Sequence, residues 1–120
     1  MALTTKLNQM SVKDNSTFAL TPPLSVNNYL LIANTPVNIN MIDLVDVSGL
    51  APSALLFSCT GNFYVLWNGT NATVPSATVT TGAGSELNPA VRHVGAAITN
   101  FSVVASSNCV LTLAIYSIFN

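Results

Sequence analysis

Alternation of apolar and polar residues is plainest near the end of the chain. Over residues 109–116, Cys109, Leu111, Leu113 and Ile115 fall on one side of an extended strand, and Val110, Thr112, Ala114 and Tyr116 on the other. The first side is purely apolar and is expected to line a core; the second is semi-polar. The run 97–105 reads as the partner strand. Ser106, Ser107 and Asn108 between them have the length and polarity of a tight connection, so a C-terminal hairpin is expected. Upstream, 54–60 and 62–67 flank Gly61 and precede Asn68-Gly69, which predicts a second hairpin or bulged pair. Within it, Phe63, Val65 and Trp67 share one face and Tyr64 and Leu66 the other. Core packing is the expected use of these aromatics, and a sugar-binding platform is the alternative.

The segments 29–33 and 37–47, separated by Thr35-Pro36, add one or two strands. In the second, Val37, Ile39 and Met41 alternate with Asn38 and Asn40, so one of its sides meets solvent or a partner. The run 73–80 is a weaker strand, placed by Pro75 at an edge or before a bend. No stretch carries a helical stripe, and helix is expected at most as a turn near 47–54. Short strands with turn signals at this spacing predict a single all-β domain over residues 24–120, a β-sandwich or jelly-roll-like fold of six to eight strands.

Residues 1–23 differ, with isolated apolar residues set among polar ones and a Thr21-Pro22-Pro23 end. They read either as a first strand of the sandwich or as an extended N-terminal arm. An arm would pack on a neighbouring subunit through Leu3, Leu7, Met10 and Phe18, because spaced apolar anchors without a core of their own need a partner to order them.

Composition adds a constraint. Only 6% of the 120 residues are charged while 50% are hydrophobic, and the net charge is −1. Ordinary soluble domains carry about 25% charged residues. Neutral Asn, Ser and Thr hydrate part of this surface, as in 68–73 and 106–108. The apolar remainder predicts self-association into a homo-oligomer, with a trimer favoured. Lys6, Lys13 and Arg92 are too few to neutralise several phosphates or bind an anionic membrane, so neither nucleic acid nor membrane is an expected partner. The start of the chain lacks the basic and long apolar stretches of a secretory signal, and synthesis in a cytosol is expected. Cys59 and Cys109 then read as buried free thiols, with a disulfide between them as the alternative.

A search for chemistry returns no reaction. His93 is the single histidine, and nothing in the spacing brings it to a cysteine and an orienting carboxylate. Asp43 and Asp46 would point to opposite faces of a strand. One histidine and two distant cysteines form no recognisable metal set, and no acidic loop suits calcium. Gly82-Ala83-Gly84 lacks the Lys-Ser or Lys-Thr of a phosphate loop. The expectation is a non-enzymatic chain without cofactor or metal.

The segment 82–92 stands out because it holds the one glutamate, Glu86, and the one arginine, Arg92. In so charge-poor a chain these two are expected to meet, within a subunit or between two, or else to face water. His93 beside them reads as a surface or interface residue. The run from Gly82 through Glu86-Leu87-Asn88-Pro89 to Arg92, followed by 101–105 and 110–116, resembles the C-terminal half of small tailed-bacteriophage virion proteins. The resemblance spans roughly residues 67–117. It implies a structural role as a capsid cement or decoration protein, made in the host cytoplasm and carried on the capsid surface, with the major capsid protein or other virion proteins as partners. Leu3, Leu7, Met10, Phe18, Glu86, Arg92 and His93 are the candidate interface residues. A tail fibre, spike or connector subunit is the alternative within the resemblance, and a carbohydrate-binding module the alternative outside it.

Overall fold

The computed structural model describes residues 7–12, 15–20, 22–23, 25–44, 51–75 and 84–117, the first two stretches by backbone alone. The strands are β1 (Leu7–Val12), β2 (Asn15–Leu20), β3 (Ser25–Leu31), β4 (Val37–Asn40), β5 (Ala54–Cys59), β6 (Phe63–Trp67), β7 (Glu86–Leu87), β8 (Val91–His93), β9 (Asn100–Ala105) and β10 (Cys109–Tyr116). Strands β1 and β2 pair with each other as an antiparallel hairpin that belongs to neither larger sheet. The other eight form two four-stranded sheets, ordered β3-β10-β5-β8 and β4-β9-β6-β7, with every neighbouring pair antiparallel.

The connections β3→β4, β5→β6, β7→β8 and β9→β10 each cross from one sheet to the other. The register puts all four crossings at the same end, since Cys109 lies opposite Leu31, Leu111 opposite Cys59, Leu56 opposite Val91 and Tyr64 opposite Leu87. Eight antiparallel strands divided and connected in this way make a jelly roll. The all-β sandwich expected from the alternation is therefore the fold of the chain.

Both expected hairpins are instead arches between the sheets. In a hairpin, β9 and β10 would lie side by side, and the apolar rows on their inner sides could not face one another. Crossing over lets Phe101, Val103 and Ala105 close the core opposite Leu111, Leu113 and Ile115, all of them fully buried or nearly so. The same holds for β5 and β6, where the rings of Phe57 and Phe63 stack across the core at 5.8 Å. Gly61 belongs in the β5–β6 arch because a Cβ there would come within 3.2 Å of the Cys109 Cβ on the adjacent arch.

Neighbouring arches are sewn together by backbone and uncharged side chains. Ala33 N–H donates to Asn108 Oδ1 at 2.9 Å and Asn34 N–H to the Ala105 carbonyl at 2.7 Å. Thr60 N–H donates to the Val110 carbonyl, and Val110 N–H to Thr60 Oγ1. Asn88 imitates a strand residue: its N–H donates to the Phe63 carbonyl while its Oδ1 accepts from Phe63 N–H. Asn34, Asn68, Asn71 and Asn88 all take positive φ, between 47° and 59°, the left-handed region that asparagine tolerates better than most residues. The asparagines that hydrate the chain in a sequence reading thus also set its turns.

Three strand boundaries depart from expectation. Strand β3 begins at Ser25, four residues before the apolar segment at Tyr29, because Val26, Asn28 and Leu30 face outward while Asn27, Tyr29 and Leu31 turn inward. Strand β4 stops at Asn40, where its partner β9 begins, and a 3-10 turn (Met41–Leu44) takes over and buries Leu44. Residues 73–75 form no strand, and 76–80 of the expected weak strand lie outside the described residues, as do 47–50 of the expected helical turn, whose remaining residues 51–54 are not helical and lead into β5.

Candidate functional site

Glu86 and Arg92 meet within the subunit. Val65 and Leu55, which they face across the ladders, both point into the core, so each charged side chain is turned toward the gap between the sheets. Arg92 Nε donates to both carboxylate oxygens of Glu86, at 3.2 and 3.1 Å, and Nη2 closes the ion pair on Oε2. Trp67 Nε1–H donates to Glu86 Oε1 at 3.0 Å. The group ties β6, β7 and β8 together across the open side of the sandwich. Inward-pointing charges on short edge strands also deter the addition of a foreign strand.

The hydrogen bond from Arg92 is the main reason that the Glu86 carboxyl sits below its ordinary value, with the Trp67 bond adding to it and partial burial opposing it. A depressed carboxylate contributes stability above the unfolded value and loses it as pH falls through the folded one. Both side chains are more than a third exposed or close to it, at 41% and 35%, so the contribution is small. Glu86→Gln is expected to cost less than about 1 kcal/mol at pH 7, and the gap from wild type should close in urea titrations at pH 3.

His93, exposed on β8, is not brought together with Cys59. It pairs with Ala54 at the start of β5, whereas Cys59 ends that strand about 17 Å away at the usual rise per residue. His93 also follows the alternation to the outer side, while Cys59 packs against the core. With Trp67, Arg92 and Ile98 it borders a shallow depression of about 190 Å³. The Trp67 ring packs against Phe57 and Phe101, at centroid distances of 6.0 and 5.3 Å. It therefore packs with the core, the use expected of it.

Cys59 and Cys109 are free thiols with Sγ atoms 3.5 Å apart beneath the arches. Burial, with the neighbouring thiol adding to it, pushes Cys109 up to about 11 and keeps it protonated at neutral pH. Among the described residues no group of histidines, cysteines and carboxylates is placed to hold a metal. No helix there is long and apolar enough to cross a membrane. At the end away from the arches, an apolar hollow of about 420 Å³ lies among Met41, Ile42, Pro52, Val94 and Ile98.

The N-terminal candidates are placed less fully. Leu3 lies outside the described residues. Leu7 stands opposite Leu20 in the hairpin, Met10 opposite Thr17, and Phe18 opposite Gln9.

The outer faces of the two sheets differ more than anything in the sequence suggested. On the β4-β9-β6-β7 sheet, the loop after β6 folds back over the strands. Asn71 N–H donates to Asn38 Oδ1, Asn38 Nδ2 donates to Asn71 Oδ1, and Ala72 N–H donates to Ser102 Oγ at 2.9 Å. Ser102 and Val104, both on that outer side, are fully buried. On the β3-β10-β5-β8 sheet the outer residues include Val26, Leu30, Val110 and Val91, exposed at 50%, 64%, 41% and 45%. Asn28, Ser58 and His93 are exposed on the same side, and among the described residues no Asp, Glu, Lys or Arg stands on it; toward the end away from the arches this side is covered instead, where Ala54, Ala114 and Tyr116 form a buried cluster with Leu56 packed against it. The sequence carried a hint of the exposed area in the semi-polar side of β10, but the contribution of β3 was hidden by the Asn27-Asn28 pair.

Comparison with protein-family models, with curated proteins and with solved structures finds no match to this chain.

Proposed function

We propose that this chain is a structural subunit of a virus particle, a cement or decoration protein seated on the capsid and joining neighbouring major capsid subunits. The observation that carries this reading is the group of exposed apolar residues Val26, Leu30, Val110 and Val91 on the outer side of the β3-β10-β5-β8 sheet, where no charged residue stands among the described ones. Exposed apolar residues gathered on one side of a small domain mark a contact surface. Absence of charge suits contacts that must persist across ionic strengths, because such contacts are insensitive to screening. The jelly roll serves viral shells as well as lectins and other binding proteins, so the fold supports the reading without deciding it. The likeness of 82–92 and the two closing strands to tailed-phage virion proteins points the same way.

The role is mechanical. Modest interfaces repeated over a shell add to contacts that are individually weak, and multivalent attachment multiplies their effect. Particles assembled without the chain should rupture at lower temperature than complete ones, and complete particles should carry many copies rather than a handful. Equal thermal stability with and without the chain would overturn the proposal, and a handful of copies per particle would move it to a tail or connector.

A further inference from the structure

The four sheet edges are not equivalent. Strand β7 has two residues and β8 three, and their charges, Glu86 and Arg92, turn inward and bind each other. Strand β4 has four residues and is fastened through Asn38 to the loop at Asn71. Strand β3 has seven residues, contains neither proline nor a charged residue, and among the described residues is paired on one side alone, with β10. Proteins ordinarily blunt a long edge with lysine, proline, a bulge or a cover, because its free N–H and C=O groups template another strand. Three edges of this sandwich are short, charged or fastened; β3 is long and, among the described residues, unpaired on its outer edge.

We propose that β3 is a docking edge at which two copies of the chain pair antiparallel about a two-fold axis through Asn28. The occupant follows from the strand itself. Reversing Ser25–Leu31 about Asn28 sets Val26 opposite Leu30 of the second copy, and Leu30 opposite Val26, so two exposed apolar residues cover two exposed apolar residues. Asn28 meets its own symmetry mate, and no charge stands on either strand to repel the other. Self-complementary contacts of this kind are what a two-fold interface requires.

Pairing joins the two β3-β10-β5-β8 sheets into one eight-stranded sheet. Its width grows from about 19 Å to about 38 Å at the usual strand spacing. The open outer faces then lie on the same side of that sheet, so the contact surface invoked above is doubled. A two-fold pair takes the place of the trimer favoured on composition. The contact is a property of the isolated chain and does not depend on a role in virions.

The test is sedimentation of the purified full chain at micromolar concentrations, beside two variants of the exposed Asn28. Wild type should sediment as a dimer. Asn28→Lys places two ammonium groups face to face and should raise the dimer dissociation constant at least about fivefold, with partial recovery at high salt. Asn28→Cys should form an intermolecular disulfide on mild oxidation, because opposed residues in antiparallel strands have Cα atoms about 4.5–5.5 Å apart, within disulfide range. Thr112→Cys, one strand away from the edge on the same face, should not cross-link. A monomeric wild type overturns the proposal, as does an oligomer that Asn28→Lys leaves intact. Cross-linking through Thr112→Cys in place of Asn28→Cys would mean that the sheets stack by their faces, and overturns it too.

Discussion

Phe101→Ala is expected to lower stability by about 3–5 kcal/mol, the range for removing a large aromatic from a packed core. Phe101 is fully buried near the start of β9, with its ring 6.1 Å from Phe57 and 5.3 Å from Trp67. Phe57 belongs to the opposite sheet, so the ring is one of the contacts by which the two sheets hold together. Domains of this kind have total stabilities of about 5–15 kcal/mol, and losing 3–5 consumes a large share. A volume-conserving change should cost much less: Phe101→Leu is expected to stay near 1.5 kcal/mol if the neighbours repack. Urea denaturation of both variants checks the pair of values. A Phe101→Ala variant within 1 kcal/mol of wild type would mean that the core closes without this ring.

The consequence would reach the Glu86–Arg92 edge. Trp67, which packs on Phe101, holds Glu86 Oε1 through its indole N–H. Losing the ring beneath it frees the indole to move, and Glu86 then keeps Arg92 alone. Tryptophan fluorescence should report this change under conditions where Phe101→Ala remains folded.

Period-two alternation made the class of this fold readable before any coordinates, because a strand with one buried face writes that face into every second residue. Strand β10 shows this best: its inner row of Cys109, Leu111, Leu113 and Ile115 is the row found in the core. Alternation does not say which sheet a strand joins. Strands linked by three residues can lie side by side or cross to the opposite layer, and the linkers 60–62 and 106–108 carry no residue that forbids either. What decides is whether the apolar rows need to face each other, a property of the whole core rather than of the linker. Strands β7 and β8 escaped notice for a simpler reason, since two and three residues are too few to show a period. The meeting of Glu86 with Arg92 was legible because a chain with so few charges leaves each almost no other partner. The open face was not, because its residues come from four strands spread from Val26 to Val110, and Asn28 interrupts the apolar pattern of β3.

Ser102→Ala is expected to cost about 1–3 kcal/mol, far more than a serine-to-alanine change at a surface. Ser102 Oγ accepts the N–H of Ala72, and both residues are buried, at 0% and 1% exposure. Removing the hydroxyl leaves that N–H without its acceptor and away from water, so the desolvation penalty is uncompensated. The loop after β6 would then be held by the exposed bonds between Asn38 and Asn71 and, at its start, by the bonds of Asn68 and Gly69 with Ala97, Thr99 and Asn100. Hydrogen exchange should show faster exchange at Ala72 and its neighbours, together with strand β9 beneath them. Thr112→Ala is the matched control on the open sheet. Its hydroxyl bonds Asn28 Oδ1 at 2.9 Å in a solvent-exposed pair, and its loss should stay within about 0.5 kcal/mol. A large cost at Ser102 and a small one at Thr112 would show that one buried hydrogen bond holds the loop over the β4-β9-β6-β7 sheet, while the exposed Asn28–Thr112 pair contributes little. Equal costs would mean that the difference between the faces has another source, and would remove the main physical support for treating the open sheet as the contact surface.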